Sequence, residues 1–198
     1  MFPLGTPLVP HAAIPLHVFE ERYRTLTAEC LAGDREFGIV MIERGSEVGG
    51  GDQRTDIGTL TRIAEAHELE DGRWILLVVG IGRIRVIEWL QDDPYPLALV
   101  EEISETMALL GDQQRNDLQA RVRRIAALLT ELGEDGVPIG LELADDPVAA
   151  GYQAMAVAPV GPLDVQTVLA IDDPADRHLR IVEYLADAES LLRMQMGV

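Results

Sequence analysis

Gly58-Thr59-Leu60-Thr61-Arg62-Ile63-Ala64-Glu65-Ala66-His67-Glu68-Leu69 and Arg73-Trp74-Ile75-Leu76-Leu77-Val78-Val79 stand on either side of an Asp71-Gly72 pair. An Asp-Gly pair between two β-rich runs is a strong hairpin signal, because both residues tolerate the left-handed backbone of a tight turn. Directly downstream, Arg83 and Arg85 alternate with Ile84 and Val86, which predicts one wet face and one buried face. Between these stretches, Gly80-Ile81-Gly82 lacks the last glycine of a dinucleotide-binding fingerprint and runs into a strand, not a helix. Its glycines predict a bulge or sharp bend in a curled sheet.

Working outward, Glu36–Glu43 is a short apolar, β-branched run, and Tyr95–Ile103 is a further strand candidate after Pro94. Prolines at 3, 7, 10 and 15 keep the N-terminal segment extended. One helix is predicted within this half, over Glu20–Leu31. Tyr23, Leu26, Thr27 and Cys30 share one face there, and Gly33 ends it. Beyond residue 110 the period becomes helical. Asp112 is the expected N-cap of a helix whose stripe is Leu118, Val122, Ile125, Leu128, Leu129 and Leu132, stopping at Gly133. Pro147–Ala158 and Pro162–Ile171 predict shorter helices. A last one runs from Pro174 to about Met194, with Leu179, Val182, Leu185, Ala186 and Leu192 inward. Strands followed by helices predict an α+β chain with a β-rich part over 1–105 and a helical part over 106–198.

The chain contains no lysine; its 16 basic residues are all arginine, against 34 carboxylates, for a net charge of −18 over 198 residues. Residues 1–104 and 105–198 contribute −9 each, so the charge is a general solvated surface and not a tail. Without lysine there is no P-loop, no Schiff base and no Ser–Lys dyad. Such acidity argues against nucleic acid and against an anionic membrane surface. Cys30 is the only cysteine, so no internal disulfide is expected. No signal peptide is expected from the opening residues, no apolar stretch reaches spanning length, and the expected location is cytoplasmic.

Catalytic motifs are sparse. Asp-Asp-Pro occurs at 92–94, 145–147 and 172–174. Capping and turn initiation are favoured there over metal or acid–base work. Gly45-Ser46-Glu47-Val48-Gly49 misses the nucleophile elbow by one position, and Ser46 is expected in a loop. His67-Glu68-Leu69-Glu70-Asp71 ends in Asp where a zincin helix needs His, so His67 is expected on a solvent-facing strand. One cysteine cannot make a zinc cluster, and Cys30 is expected to be a buried, inert thiol. Neither cofactor nor metal is expected. The triple glycine of Gly49, Gly50 and Gly51 predicts a flexible loop, one that could cover a groove, and not a phosphate cradle, since Glu47 and Asp52 flank it.

Phe2-Pro3-Leu4, Pro10 and Ile14-Pro15-Leu16-His17-Val18-Phe19-Glu20-Glu21-Arg22-Tyr23 resemble the opening of the Lon substrate-binding domain, the N-terminal domain of Lon proteases. Phe37–Gly45 with Val48-Gly49, Gly58-Thr59 and Gly80–Arg85 resemble stand-alone bacterial members. Leu163–Gln166 through Leu169, then Arg177-His178-Leu179 and Leu185, are similar to the domain's helical part. The resemblance implies a curled, barrel-like β sheet of the PUA-like type carrying one inserted helix, followed by a helical bundle. It implies a non-catalytic module that recognises unfolded or extended polypeptide and is associated with proteolysis, while ATP hydrolysis and peptide cleavage belong to other domains that use lysine.

The candidate walls of a peptide site are Phe19, Tyr23, Val48 and Trp89, with Arg22 and Arg44 as polar handles and Gly49–Gly51 as the covering loop. Against this, Phe19 and Tyr23 lie on or beside a helix's apolar stripe, which favours core, and Trp74 and Trp89 are expected to be partly buried. Two other readings stay open. One is an interaction or assembly protein acting through self-association, hence a homo-oligomer, or through a partner chain. The other is a hydrolase with an unrecognised site, which would need a deep pocket with two titratable groups of shifted pKa.

Overall fold

A computed structural model describes residues 1–45, 53–106, 110–134 and 140–196. The fold is α+β, a curled half-barrel sheet and five helices, in two compact units, Met1–Ser104 and Glu105–Val198. The first holds strands β1 (Phe2–Leu4), β2 (Ala13–Val18), β3 (Glu36–Arg44), β4 (Gln53–Glu68), β5 (Trp74–Trp89) and β6 (Ala98–Ile103), with helix α1 (Glu21–Ala32) between β2 and β3.

The β4–β5 hairpin is the spine. Asp71-Gly72 turns it, with Gly72 at φ 78° and the Leu69 and Arg73 backbones joined at 2.8 Å. Both strands are 16 residues long and pair from Glu68–Trp74 to Ile57–Arg85. Opposite β4, the other edge of β5 is shared by two strands. Its first part, Trp74–Val79, pairs with β2, and its last part, Arg83–Trp89, pairs with β6. Between them lies the expected bulge, because the β4 register steps from Leu60–Gly82 to Thr61–Gly80 and leaves Ile81 over. The sheet order is β1-β3-β4-β5-β2, with β6 off the path on β5.

Alternation in β5 fails at Arg83, which is 1% exposed where a wet residue was expected. Arg83 sits opposite Thr59 and so shares its face. That face is covered by the crossing segment between β1 and β2, for the Thr59 hydroxyl donates to the Leu8 carbonyl at 2.5 Å. Ile84, on the opposite face, packs with Met1, Val40 and Val86. Both faces of the sheet are therefore dry here. Gly80 is required by the same crossing, since a Cβ on it would stand 2.5 Å from the Val9 carbonyl oxygen and 3.1 Å from the Pro10 Cα.

The second unit is a helical bundle of α2 (Asp112–Leu132), α3 (Pro147–Val157), α4 (Pro162–Ala170) and α5 (Pro174–Met196). Two Asp-Asp-Pro sites cap helices as expected. Asp146 accepts from the Ala149 N–H at 2.8 Å, and Asp173 accepts from Ala175 and Asp176 at 2.8 and 3.0 Å. The N-cap of α2 is Gly111 and not Asp112. The Gln114 side chain reaches back to the Gly111 N–H at 3.0 Å, satisfying that orphan donor without an Asp side chain. Of the residues expected inward on α5, Leu185 and Leu192 are buried and Val182 and Ala186 half-buried, but Leu179 is not inward. Arg177, His178, Ile181, Leu185, Ala188 and Leu192 are buried, while Leu179 is 62% exposed. The polar Arg177 and His178, and not Leu179, hold the first inward turn of α5.

Arg177 is 2% exposed and fully engaged. It donates to the Glu105 carboxylate and to the Ile171 carbonyl, and its guanidinium lies 4.8 Å over the Tyr152 ring. Tyr152 in turn donates to Glu105 at 3.0 Å. Glu189 is buried among Arg121, Arg124 and Arg193 at 3.0, 3.0 and 2.8 Å. Burial alone would raise its pKa, but the three guanidinium groups outweigh burial and hold it below the usual 4.5. Burial holds His178 below its usual 6.5 against the opposing pull of Asp117, and its Nδ1 has no hydrogen-bond partner.

Gly80→Ala is expected to destabilise the first unit by about 1–3 kcal/mol, since backbone and not a flexible side chain stands in the way. A urea melt read by tryptophan fluorescence checks it, as Trp74 and Trp89 both lie in that unit. The helical unit should lose stability in acid in two stages. Both folded pKa values are lowered, so each contribution is complete above the unfolded value and is lost as pH falls through the folded one. The first stage begins below pH 6.5 and should vanish in His178→Leu; the second begins below 4.5 and should vanish in Glu189→Gln. Thermal melts by circular dichroism at 222 nm across pH 3–8 read both (222 nm and pH 3–8 being roughly the usual window for helix signal and carboxylate and imidazole titration).

Candidate functional site

Prolines at 3 and 15 decide which way the outer strands offer their backbone. β1 runs parallel to β3 with Pro3 opposite Val40. Lacking an N–H, Pro3 cannot serve that ladder, so Phe2 and Leu4 do, and the Pro3 carbonyl turns to the open side. In β2, Pro15 stands opposite Leu77. The same argument places Ile14, Leu16 and Val18 in the bonded pairs with β5 and turns Ala13, Pro15 and His17 outward. β1 and β2 are the two ends of the sheet path, and no ladder joins them.

The curl brings these two ends to one hollow of about 220 Å³. It is lined by all three residues of β1, by Pro15–Val18 of β2, and by Phe19, Glu20 and Tyr23 where the chain enters α1. Tyr23 forms the floor. It is 4% exposed, stacks on Phe2 with ring centroids 4.2 Å apart, and carries the Arg22 guanidinium 4.5 Å above its ring. Arg22 also pairs with Glu20 at 3.1 Å. Phe19 is the lip, 53% exposed, with His17 edge-on at 6.4 Å. The two aromatics that share a sequence environment thus part company. Tyr23 is core as expected, whereas Phe19 is not, because it precedes the helix and points away from the stripe.

Trp89 belongs elsewhere. It packs partly against the Met1, Val40, Ile84 and Val86 cluster and carries the Arg54 guanidinium 4.6 Å over its ring. An open hollow of about 700 Å³ beside it is lined by Glu43, Gln53, Arg54, Asp56, Trp89, Leu90 and Asp92. Arg44 is exposed at the end of β3, next in register to Gln53. Val48, Gly49, Gly50 and Gly51, like Ser46, lie outside the described residues. The structure therefore joins Phe19, Arg22 and Tyr23 and sets Trp89 in a second place. Pro3, Pro15, Leu16 and His17 were missed as site residues; the readable signal was proline inside edge strands.

Among the described residues, groups with displaced pKa values do not converge on either hollow. Burial pushes the Cys30 thiol up to about 11, and its Sγ–H donates to the Glu36 carbonyl at 3.2 Å, which leaves little thiolate. The Tyr95 hydroxyl is raised to about 12, first by its hydrogen bond to Glu29. Neither residue lines a hollow, nor do His178 and Glu189. His67 is exposed on β4. Among the described residues no group of three His, Cys, Asp or Glu side chains could hold a metal ion, and no helix is long and apolar enough to cross a membrane.

The family model of the ATP-dependent protease La (LON) substrate-binding domain matches residues 1–187. A Lon protease of Trichlorobacter lovleyi is 28% identical over 96% of this chain, which spans 24% of that protein. A Lon protease of Desulfosudis oleivorans is 32% identical over 67% of the chain, equal to 17% of that protein. The chain thus spans a minor part of the curated relatives it matches. The crystal structure of a Lon N-terminal domain protein from Xanthomonas campestris superposes with a TM-score of 0.69 at 25% identity, over 93% of this chain and 95% of that one. The N-terminal domain of a Mycobacterium avium complex Lon protease gives 0.62 at 18% identity, over 93% and 97%, a likeness of fold.

Phe19→Ala should change stability by less than about 0.5 kcal/mol, as surface substitutions do. Tyr23→Ala should cost about 3–5 kcal/mol, as for a buried aromatic. Paired urea melts of the two variants test whether lip and floor are separate in this way.

Proposed function

The chain belongs to the Lon substrate-binding domain family, and from that premise we propose that it is a non-catalytic module that binds unfolded or extended polypeptide. The observation that carries this reading is the hollow where two sheet edges meet that no strand among the described residues pairs with, with an aromatic lip half open to solvent. Free edges offer main-chain hydrogen bonds to any sequence, and a shallow apolar pocket adds a preference without a strict code. In this reading residues 1–105 form the Lon-N-like subdomain and residues 106–198 a helical subdomain. Phe19, Arg22 and Tyr23 contact the client, and Trp89 and Arg44 add further contacts; the expected contacts Val48 and Gly49–Gly51 lie outside the described residues.

The proposal includes no chemistry at this chain. A P-loop and a Ser–Lys dyad both need lysine, and these 198 residues contain none. No cofactor is required for binding by strand addition. The net charge of −18 supports polypeptide over nucleic acid or an anionic membrane, and a cytoplasmic location fits a chain with one cysteine.

A second reading, assembly through the helical unit, is favoured by one observation. Leu179, Leu191 and Met194 on α5 and Leu163 on α4 are 57–68% exposed. Light scattering over a concentration series would show the mass rise that this reading requires.

Denatured casein and a native folded protein, each incubated with the full chain, separate the possibilities. Capture of the denatured protein alone, unaffected by ATP and without cleavage, is the expected result. Equal indifference to both forms would count against the binding module, and turnover by clean protein would replace it with an enzyme.

A further inference from the structure

The seam between β1 and β2 is unbalanced in hydrogen-bonding capacity. Among the residues that line the hollow, the outward backbone groups are the carbonyls of Pro3, Pro15 and His17 and the His17 N–H; farther along β2, Ala13 turns one carbonyl and one N–H the same way, so acceptors still outnumber donors. The two prolines remove the donors that would let these edges zip to each other or to a second copy of this chain through the same edges. The Glu20 carboxylate, one oxygen of which pairs with Arg22 at 3.1 Å, lines the hollow in a unit whose net charge is −9. An acceptor-rich, acidic cleft is complementary to a ligand that brings donors and positive charge.

We propose that this seam takes one strand of a partner, an extended peptide segment inserted between β1 and β2, with an apolar side chain against Phe19 and Leu16 and an arginine or lysine beside it toward Glu20. The inference rests on the polypeptide-binding reading and gives it a chemistry. The inserted backbone donates N–H groups to Pro3 and Pro15 and accepts from His17, so each carbonyl left open by a proline gains a partner. Phe19 is available for this because it is 53% exposed and lies outside the core. Arg22 lies over the Tyr23 ring and engages one oxygen of the Glu20 carboxylate, which leaves the second oxygen for the cation of the inserted peptide.

The test uses the full chain and a dye-labelled synthetic peptide of about seven residues, a usual strand length, alternating leucine or phenylalanine with arginine. Two counterparts accompany it, one methylated on alternate backbone nitrogens and one with glutamate for arginine. Fluorescence anisotropy should show the parent binding, with both counterparts weakened at least about tenfold, the loss of one or two hydrogen bonds. Phe19→Ala should weaken the parent by a similar factor while its melting curve stays put. Exchange of the His17 amide should slow when the parent is bound.

Equal binding of the methylated peptide, or an unaltered His17 amide, would overturn the insertion. Equal binding of the glutamate peptide would overturn the charge preference. Should denatured casein be captured while the parent peptide is not, the seam inference fails and the binding reading survives. Should neither bind, both fall.

Discussion

One strand, β5, meets three partners, and the break at Gly80-Ile81-Gly82 is what makes that possible. A flat strand of 16 residues would offer one straight edge to one neighbour. The bulge at Ile81 divides that edge, so β2 takes Trp74–Val79 and β6 takes Arg83–Trp89. Bulges raise local twist and bend the strand that carries them. Here the bend turns the end strand β2 toward the opposite end strand β1. The crossing segment with Leu8 and Val9 fits over the concave face only because residue 80 has no Cβ. The hollow, its two open edges and the aromatic lip at Phe19 all follow from that curvature.

The helical unit follows a different logic. Apolar stripes are not its only inward groups, because two ion-pair groups sit inside it. Glu105, Arg177 and Tyr152 satisfy one another, and Glu189 collects three arginines. Such groups contribute little net energy compared with apolar substitutes, but removing one partner leaves a buried charge, so they specify one arrangement of the helices. An arginine-only basic set suits this role. Guanidinium groups fork, stack on rings and stay charged, as Arg177 does over Tyr152 and Arg22 over Tyr23. The absence of lysine, met first as a compositional exclusion, also describes how the chain builds its polar contacts.

Much of this was legible in the residues. The Asp71-Gly72 hairpin, the bulge glycines, the α1 stripe and the Asp-Pro helix starts at 146 and 173 act through local backbone preference, which a sequence displays directly. Misreadings occurred where a second layer intervened. Arg83 alternates like a surface residue, yet the crossing segment covers its face. Leu179 continues an apolar pattern, yet Arg177 takes the inward position because Glu105, Ile171 and Tyr152 meet it there, and His178 is buried beside it. Phe19 and Tyr23 look alike in sequence, and what separates lip from floor is that Phe19 precedes α1 and lies off its buried stripe.

By itself the sequence determined the α+β class, the place where the period changes, the exclusion of lysine chemistry and the family resemblance. All of these depend on residue identity, local propensity and order along the chain. The tertiary structure alone decided that β1 and β2, nine or more residues apart in sequence, end on opposite sides of one hollow with their proline carbonyls outward. That is a matter of sheet order and curl. No local preference encodes it, because it arises from pairings that β3, β4 and β5 make between distant segments.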